Sequence, residues 1–445
     1  MGKSAPRNWT IFLTLVLLLA VVSAGNAQQS EESAPYKVQA VLARSIEDLN
    51  YLGGDAAMPP MADSVITTDN AYHKALWDKG VAFRLISQAQ YTQNIIDAPV
   101  AADSQVYLGQ RPFEIGMIQL ILTTDLRQLH LKQAQLYMGG VWNWVSWGPA
   151  GPKSLQLWDL YFYKAYGADR VQIKAGYVSM NLDFVGLFVG GSTATGGQGV
   201  YAVLPYEAGM SYFPLTSPGA TLRVKGPQKS YLKLGVQRSI DPNGGSAEVA
   251  RNHTGFRFIP HEDKALLINE VGYLRGASKD AHEAWFRAGY IYNTTPYKNL
   301  VTGHSDSGNH CAFALMDYQI RRSNLEQPSH GLYAGASYIA APDSLDAYSR
   351  YGELRLYEEA PLRKRPADLL SIVASRTQYS SPFVNSLRAQ GKTAWRASTT
   401  ATGSYSMRTS VGSYLSFAAS YVHGPAITPR VPNALKLLAN WTVYF

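Results

Sequence analysis

Hydrophobic and polar positions alternate along most of this chain, most plainly in its last eleven residues. Leu435, Leu437, Ala439, Trp441, Val443 and Phe445 fall on one side, and Lys436, Leu438, Asn440, Thr442 and Tyr444 on the other. A strand places successive side chains on opposite faces, so one face here is apolar and the other mostly polar. A strand that ends on Phe with lipid-compatible residues outward predicts the closing strand of a barrel that folds in a bilayer.

From Lys79 onward the pattern repeats as strand, turn, strand. Candidate strands lie near 79–94, 114–124, 129–146, 153–166, 169–180, 205–214, 219–225, 228–240 and 264–275. Others lie near 282–293, 309–321, 330–341, 349–359, 367–379, 392–408, 411–423 and 433–445. These are seventeen. A single-chain bacterial barrel needs an even number, and the weak pair around 205–225 or the N-terminal edge carries the excess. The expected fold is therefore all-β, a transmembrane antiparallel β-barrel of sixteen strands over residues 79–445 in the bacterial outer membrane. Short connections (Tyr166 to Asp169, Pro361 to Pro366) alternate with longer ones at 183–203, 241–263 and 294–308, as such barrels require. A soluble array of β-sandwiches is the rival for the strands alone.

The N-terminus bears on that choice. Lys3 and Arg7 precede an apolar run, Ile11 to Val22, broken only by Thr14, and small residues follow. This reads as a secretory signal over 1–27, cut after Ala24 or Ala27. The run is too short for a spanning helix, which needs about 20 apolar residues. Residues 28–78, with Met58-Pro59-Pro60-Met61 breaking regular structure, read as a periplasmic lead-in, partly folded against the lumen.

Composition changes the picture little. Hydrophobic content of 46% and a mean hydropathy of −0.15 look soluble, but alternating faces cancel in such averages. Tyr outnumbers Phe, 29 to 14, which suits a membrane–water interface. Cys311 is the single cysteine, so no internal disulfide forms. The formal charge of +8 falls by two to +6 without Lys3 and Arg7. The basic residues are scattered, which argues against nucleic acid. The run Arg363-Lys364-Arg365 reads as a solvated turn.

Catalytic signatures are absent: no phosphate loop, no His-Glu-x-x-His and no Cys-x-x-Cys. Gly303-His304-Ser305-Asp306-Ser307-Gly308 has the wrong spacing for a nucleophile turn. His304, His310 and Cys311 read as polar residues beside a strand start, not metal ligands, because no second ligand pair brackets them. The chain is accordingly read as no enzyme, with no metal or cofactor. The glycines at 190–191 and 196–199 suggest a loop folded into the lumen to narrow it, or a plain exposed loop.

Charge at the lipid midplane costs about 2–4 kcal/mol for Arg or Lys, so charged strand positions should face the lumen. That orients Asp159 inward with Tyr161 and Tyr163, leaving Trp158, Leu160 and Phe162 toward lipid. It also turns Arg84, Lys174, Arg223, Arg287, Glu353 and Arg355 inward. Glu270 is ambiguous because Ile268 shares its face. The result is a wall of both signs plus Tyr, Gln and Asn, able to offer donors and acceptors to hydroxyl-rich solutes. The alternative is that these charges pair and fill the lumen. Trp142 and Trp144 share a face and read as an interfacial girdle rather than a sugar platform.

Several stretches, in order, resemble the carbohydrate-selective porins of the OprB type. They are Leu157 to Lys164, Ile173 to Phe184, Asn269-Glu270-Val271-Gly272-Tyr273, Tyr351 to Tyr357, Arg365-Pro366-Ala367-Asp368 and Val431 to Leu435. The family's glycine- and tryptophan-rich N-terminal signature is echoed only weakly by Leu76 to Gly80. The resemblance implies a sixteen-stranded barrel passing mono- and oligosaccharides down their gradient without a cofactor. It also implies polar residues at a loop-narrowed constriction, here Glu270, Glu353 and Arg355. Expected partners are carbohydrate solutes, outer-membrane lipids and the barrel-assembly machinery, engaged through the Phe445 strand; porin analogy adds a homotrimer. A porin preferring phosphate or organic acids is the runner-up, and an outer-membrane barrel enzyme stands behind it.

Overall fold

A computed structural model describes residues 49–50, 52–53, 59–66, 70–148, 151, 153–185, 203–258 and 263–445. The expected signal and the glycines of 190–199 lie outside the described residues. Sixteen antiparallel strands close on themselves, each paired with its sequence neighbours and β1 with β16. The first eight are β1 (Val81–Asn94), β2 (Phe113–Asp125), β3 (Ala134–Val145), β4 (Leu155–Tyr166), β5 (Val171–Val178), β6 (Ser217–Lys225), β7 (Ser230–Arg238) and β8 (Ala265–Arg275). The rest are β9 (Ala284–Asn293), β10 (Asn309–Arg322), β11 (Gly331–Ala340), β12 (Tyr348–Glu359), β13 (Leu369–Tyr379), β14 (Ala397–Ser410), β15 (Ser413–His423) and β16 (Ala434–Tyr444). Closure leaves no unpaired edge, so every wall strand has partners on both sides. Phe445 extends the seam: its N–H donates to Leu85 O at 2.8 Å, and Leu85 N–H donates back at 3.2 Å.

The alternation read from sequence is the alternation of the wall. In β12, Tyr351, Glu353, Arg355 and Tyr357 are buried inward while Leu354 is 68% exposed outward. On other outer faces Ile372 of β13 and Val271 of β8 are similarly bare. Trp142 and Trp144 face outward, as a girdle requires.

Three expectations are corrected. The candidate strand 205–214 does not exist: Val203–Glu207 is a short helix, α1, and Tyr212 meets Leu215 in a tight turn. Pro205 and Pro214 deny that stretch two ladder donors. Trp158 does not face lipid. The register shifts between Gly139 and Gly140, which pair with Asp159 and Leu157, so Trp158 is the extra residue of a bulge. It lies buried, edge-on to Tyr137 and Phe213. His310 and Cys311 lie within β10 itself, His310 outward and Cys311 buried inward.

Long connections gather at one end of the barrel and short ones at the other, where 167–170, 226–229 and 411–412 each join neighbouring strands. Two segments turn inward. One comprises the described parts of the β5–β6 connection, residues 179–185 and 203–216. The other comprises the described parts of 49–65.

Candidate functional site: the lumen and its two inward segments

All ten sequence-predicted site residues sit on inward positions of the wall, Glu270 among them, wholly buried beside Ile268. They do not form one cluster. The structure divides them among three stretches of wall.

On β1 to β4 the inward residues meet the N-terminal segment. Thr123 Oγ1 donates to Leu49 O at 2.7 Å, and Gln135 Nε2 donates to Asn50 O at 2.9 Å. Tyr161 OH donates to Leu52 O at 3.0 Å, and Arg84 Nη2 donates to Pro59 O at 3.0 Å. Gly53, at φ +80°, lies against the Tyr163 ring, where a Cβ would overlap it. Arg84, Tyr161 and Tyr163 therefore line the barrel interior but are spent on holding this segment. Farther along, Asp63 pairs with Arg408 at 2.6 Å and accepts from Gly412 N–H at 2.7 Å. Val65 N–H donates to Tyr444 O at 2.9 Å, which anchors the segment at the short-turn end.

On β4 to β9 the residues hold the other inward segment. Asp159 Oδ1 accepts from Ser179 N–H at 2.7 Å and turns the chain into the lumen. Lys174 Nζ lies 2.6 Å from Asp183 Oδ1, with both side chains buried. Lys233 Nζ donates to Asp183 O, and Arg287 Nη1 donates to Phe184 O at 2.6 Å. Phe184 packs on Gly235, where an added Cβ would come within 2.8 Å of its ring. Glu270 accepts from Tyr231 OH at 2.8 Å and lies 3.8 Å from Lys233 Nζ. Arg223 stacks over Tyr231 at 4.2 Å and Arg287 over Trp285 at 3.8 Å. Three cations thus converge on one turn of backbone and its single carboxylate. This pins the segment and leaves mixed polarity at its surface.

The described residues 203–207 reach β12. Glu207, on α1, accepts from Tyr348 N–H of β12 at 3.0 Å. Nearby Asp346 accepts from Asn309 Nδ2 at 2.8 Å. Burial pushes the Asp346 carboxyl up to about 7. Burial, then the Asp346 charge, raises Glu207 well above the usual carboxylate range.

On β10 to β12 the charges pair with one another. Arg355 Nη1 donates to Glu353 Oε1 and Ser337 Oγ, each at 2.6 Å. Its Nη2 donates to Asp317 Oδ2 at 2.9 Å. Tyr357 OH donates to Asp317 Oδ1 at 3.4 Å.

Sequence reasoning missed the fourth stretch, β13 to β16 with β1. It carries short hydroxyls and amides: Ser371 with Ser404 and Thr402 with Ser420, both at 2.8 Å, Ser406 with Ser416 at 2.7 Å. Gln88 Nε2 donates to Asn440 Oδ1 at 2.8 Å. The inward alternation of Ser and Thr at 398–406 was the available signal. In a closed ring of sixteen, β13 stands across from β5. The crowded wall and its inward segment therefore face the wall with the shortest side chains.

Among the described residues no group of His, Cys, Asp and Glu could hold a metal, and no helix is long and apolar enough to cross a membrane. The arrangement is a lumen narrowed by chain, bordered by donors and acceptors of both signs.

No curated protein matches the chain in sequence. Among solved structures, the high-pH structure of Pseudomonas putida OprB aligns at TM-score 0.73 and 14% identity, covering 86% of this chain and 98% of that one. The low-pH structure of the same protein aligns at TM-score 0.52 and 13% identity, covering 84% and 95%. At such identity these likenesses speak for the barrel fold. The family model for the carbohydrate-selective porins of the OprB family matches residues 122–437, from β2 to β16. On that match, which spans well over half of the chain, the chain belongs to the OprB family of carbohydrate-selective porins.

Proposed function

We propose that this carbohydrate porin passes mono- and oligosaccharides by passive diffusion through the gap between the inward segment at 179–185 and the hydroxyl wall of β13 to β16. One observation carries the reading: Lys174, Lys233 and Arg287 all fasten that segment by its carboxylate or carbonyls. A channel must bind weakly enough to release. Short hydroxyls on one side and paired charges on the other supply many modest hydrogen bonds and no single deep one. Of the ten expected contact residues, Lys174, Arg223, Glu270 and Arg287 lie on the wall that holds this segment, and Glu353 and Arg355 lie on the wall between it and β13. Arg84, Tyr161 and Tyr163 meet the N-terminal segment, and Asp159 turns the chain inward at Ser179.

An anion filter would need a ladder of cations presented to solute. Here the cations are engaged by acids or carbonyls, so the phosphate or organic-acid reading is not favoured. The proposal places the protein in the bacterial outer membrane. Residues 1–27 act as export signal, 28–78 as lead-in, the Phe445 strand addresses the assembly machinery, and three copies associate.

Planar-bilayer conductance with a series of sugars tests the path. Saturable sugar block that weakens when Ser404 and Ser406 are changed to Val supports it. Block unaffected by those changes, in protein that folds as a barrel, rejects the hydroxyl wall as the solute's route.

A further inference from the structure

The outer surface carries a feature that permeation does not use. A groove of about 580 Å³ runs across the outward faces of β10 to β14. Its floor is Ala314, Ala336, Gly352 and Ala374, and Tyr338 and Leu354 rise beside it. A Cβ added at Gly352 would meet nothing within 4 Å, so the hollow is open there. The pairing explains its shape: Gly352 sits between Tyr338 and Arg376 in one row, and Leu354 between Ala336 and Ala374 in the next.

Arg376 is exposed at the rim of this groove. Its guanidinium donates to Thr399 Oγ1 at 3.1 Å and has no carboxylate partner among the described residues. Arg350 also faces outward and is exposed. It pairs across the ladder with Gln378, one step beyond the Gly352–Arg376 pair, so the two arginines are diagonal neighbours on the outer face. Both lie toward the long-loop end of their strands, with Leu354, Leu356, Leu370 and Ile372 below them. Arginine on a lipid face is costly at the midplane and costs close to nothing near the interface. Two like charges side by side there still call for an anion.

We propose that this groove binds a phosphate-bearing lipid, with Arg350 and Arg376 on the phosphate and an acyl chain along Ala336, Gly352 and Ala374. Paired guanidiniums suit a phosphate group's planar, forked contacts. A second copy of the chain fits less well. On the outward faces of the described strands the acids are Glu114 and Glu358, and Glu358 already pairs with Arg321 at 2.8 Å.

Native mass spectrometry of the full protein in detergent, with phosphatidylglycerol or phosphatidylcholine added, tests this. The expected result is preferential retention of the anionic lipid, lost in R350Q/R376Q and restored in R350K/R376K. Heat-modifiable migration checks that each variant is a folded barrel. A variant that fails this check is replaced by Gly352→Leu, which fills the groove, keeps both charges and should also lose the lipid. Equal retention of the two lipids by the wild type, or undiminished retention by R350Q/R376Q, overturns the proposal. A change of oligomeric mass without a change of bound lipid also overturns it and makes the groove a protein interface. If inorganic phosphate binds to the same arginines while no lipid is retained, the lipid assignment fails.

Discussion

Arg355 on β12 reaches over β11 to Asp317 on β10, Nη2 to Oδ2 at 2.9 Å, and Gly335 makes the crossing feasible. A Cβ at Gly335 would overlap Asp317 Oδ1 and come within 2.7 Å of Arg355 Nε. The missing side chain on the middle strand is what lets a cation and an acid two strands apart meet on the inner wall.

Arg355→Ala should therefore do two things. It leaves Asp317 and Glu353 buried without their cation, a loss of about 3–5 kcal/mol for a broken buried pair, seen as a lower urea midpoint of the folded barrel. It should also alter single-channel conductance or sugar block. Conductance and block unchanged in both Arg355→Ala and Glu353→Ala would remove this wall from the constriction.

Phe184→Ala should widen the lumen. Phe184 is wholly buried and fills the space left by Gly235. Conductance should rise and sugar block weaken, with the barrel still folded. An unaltered conductance would mean that the inward segment does not limit the pore.

Asp183→Asn keeps the side chain's shape but removes the carboxylate beside Lys174. Reversal potentials in a salt gradient should shift toward anions. A shift toward cations, or none, would contradict the view that Asp183 neutralises this cation cluster.

The docking of α1 on β12 should depend on pH. Asp346 rises from the ordinary carboxylate range, about 4, to about 7 in the folded protein, and Glu207 is raised as well. The folded state thus holds protons more tightly. The stability these two carboxyls contribute is fully present at low pH and is lost as pH rises from about 4 through about 7. Hydrogen-exchange protection of the Tyr348 amide should be higher at the acid end of that window than above it, and Asp346→Asn should flatten the difference. Protection that instead rises with pH would reverse the assignment.

Much of the barrel was legible because a strand's period is two and the lipid face tolerates few charges. Those two facts orient Glu353 and Arg355, and the even-strand requirement exposes one candidate too many. The false strand at 205–214 belonged to the weak pair already named as a carrier of the excess, and its two prolines spoke against it. Trp158 could not be placed because a bulge is invisible until Gly139 and Gly140 are seen to pair out of step. Likewise, inward was legible for Arg84 and Tyr161, but which residues of the lead-in meet them was not. The N-terminal segment reaches them through backbone carbonyls of Pro59 and Leu52, which carry no side-chain pattern.

The central claim is tested most directly by recording the purified protein in planar bilayers while a sugar series is titrated against one face. The account predicts open channels with weak ion preference and saturable block by sugars. Strong anion selectivity without sugar block, from protein shown to be a folded barrel, would contradict it.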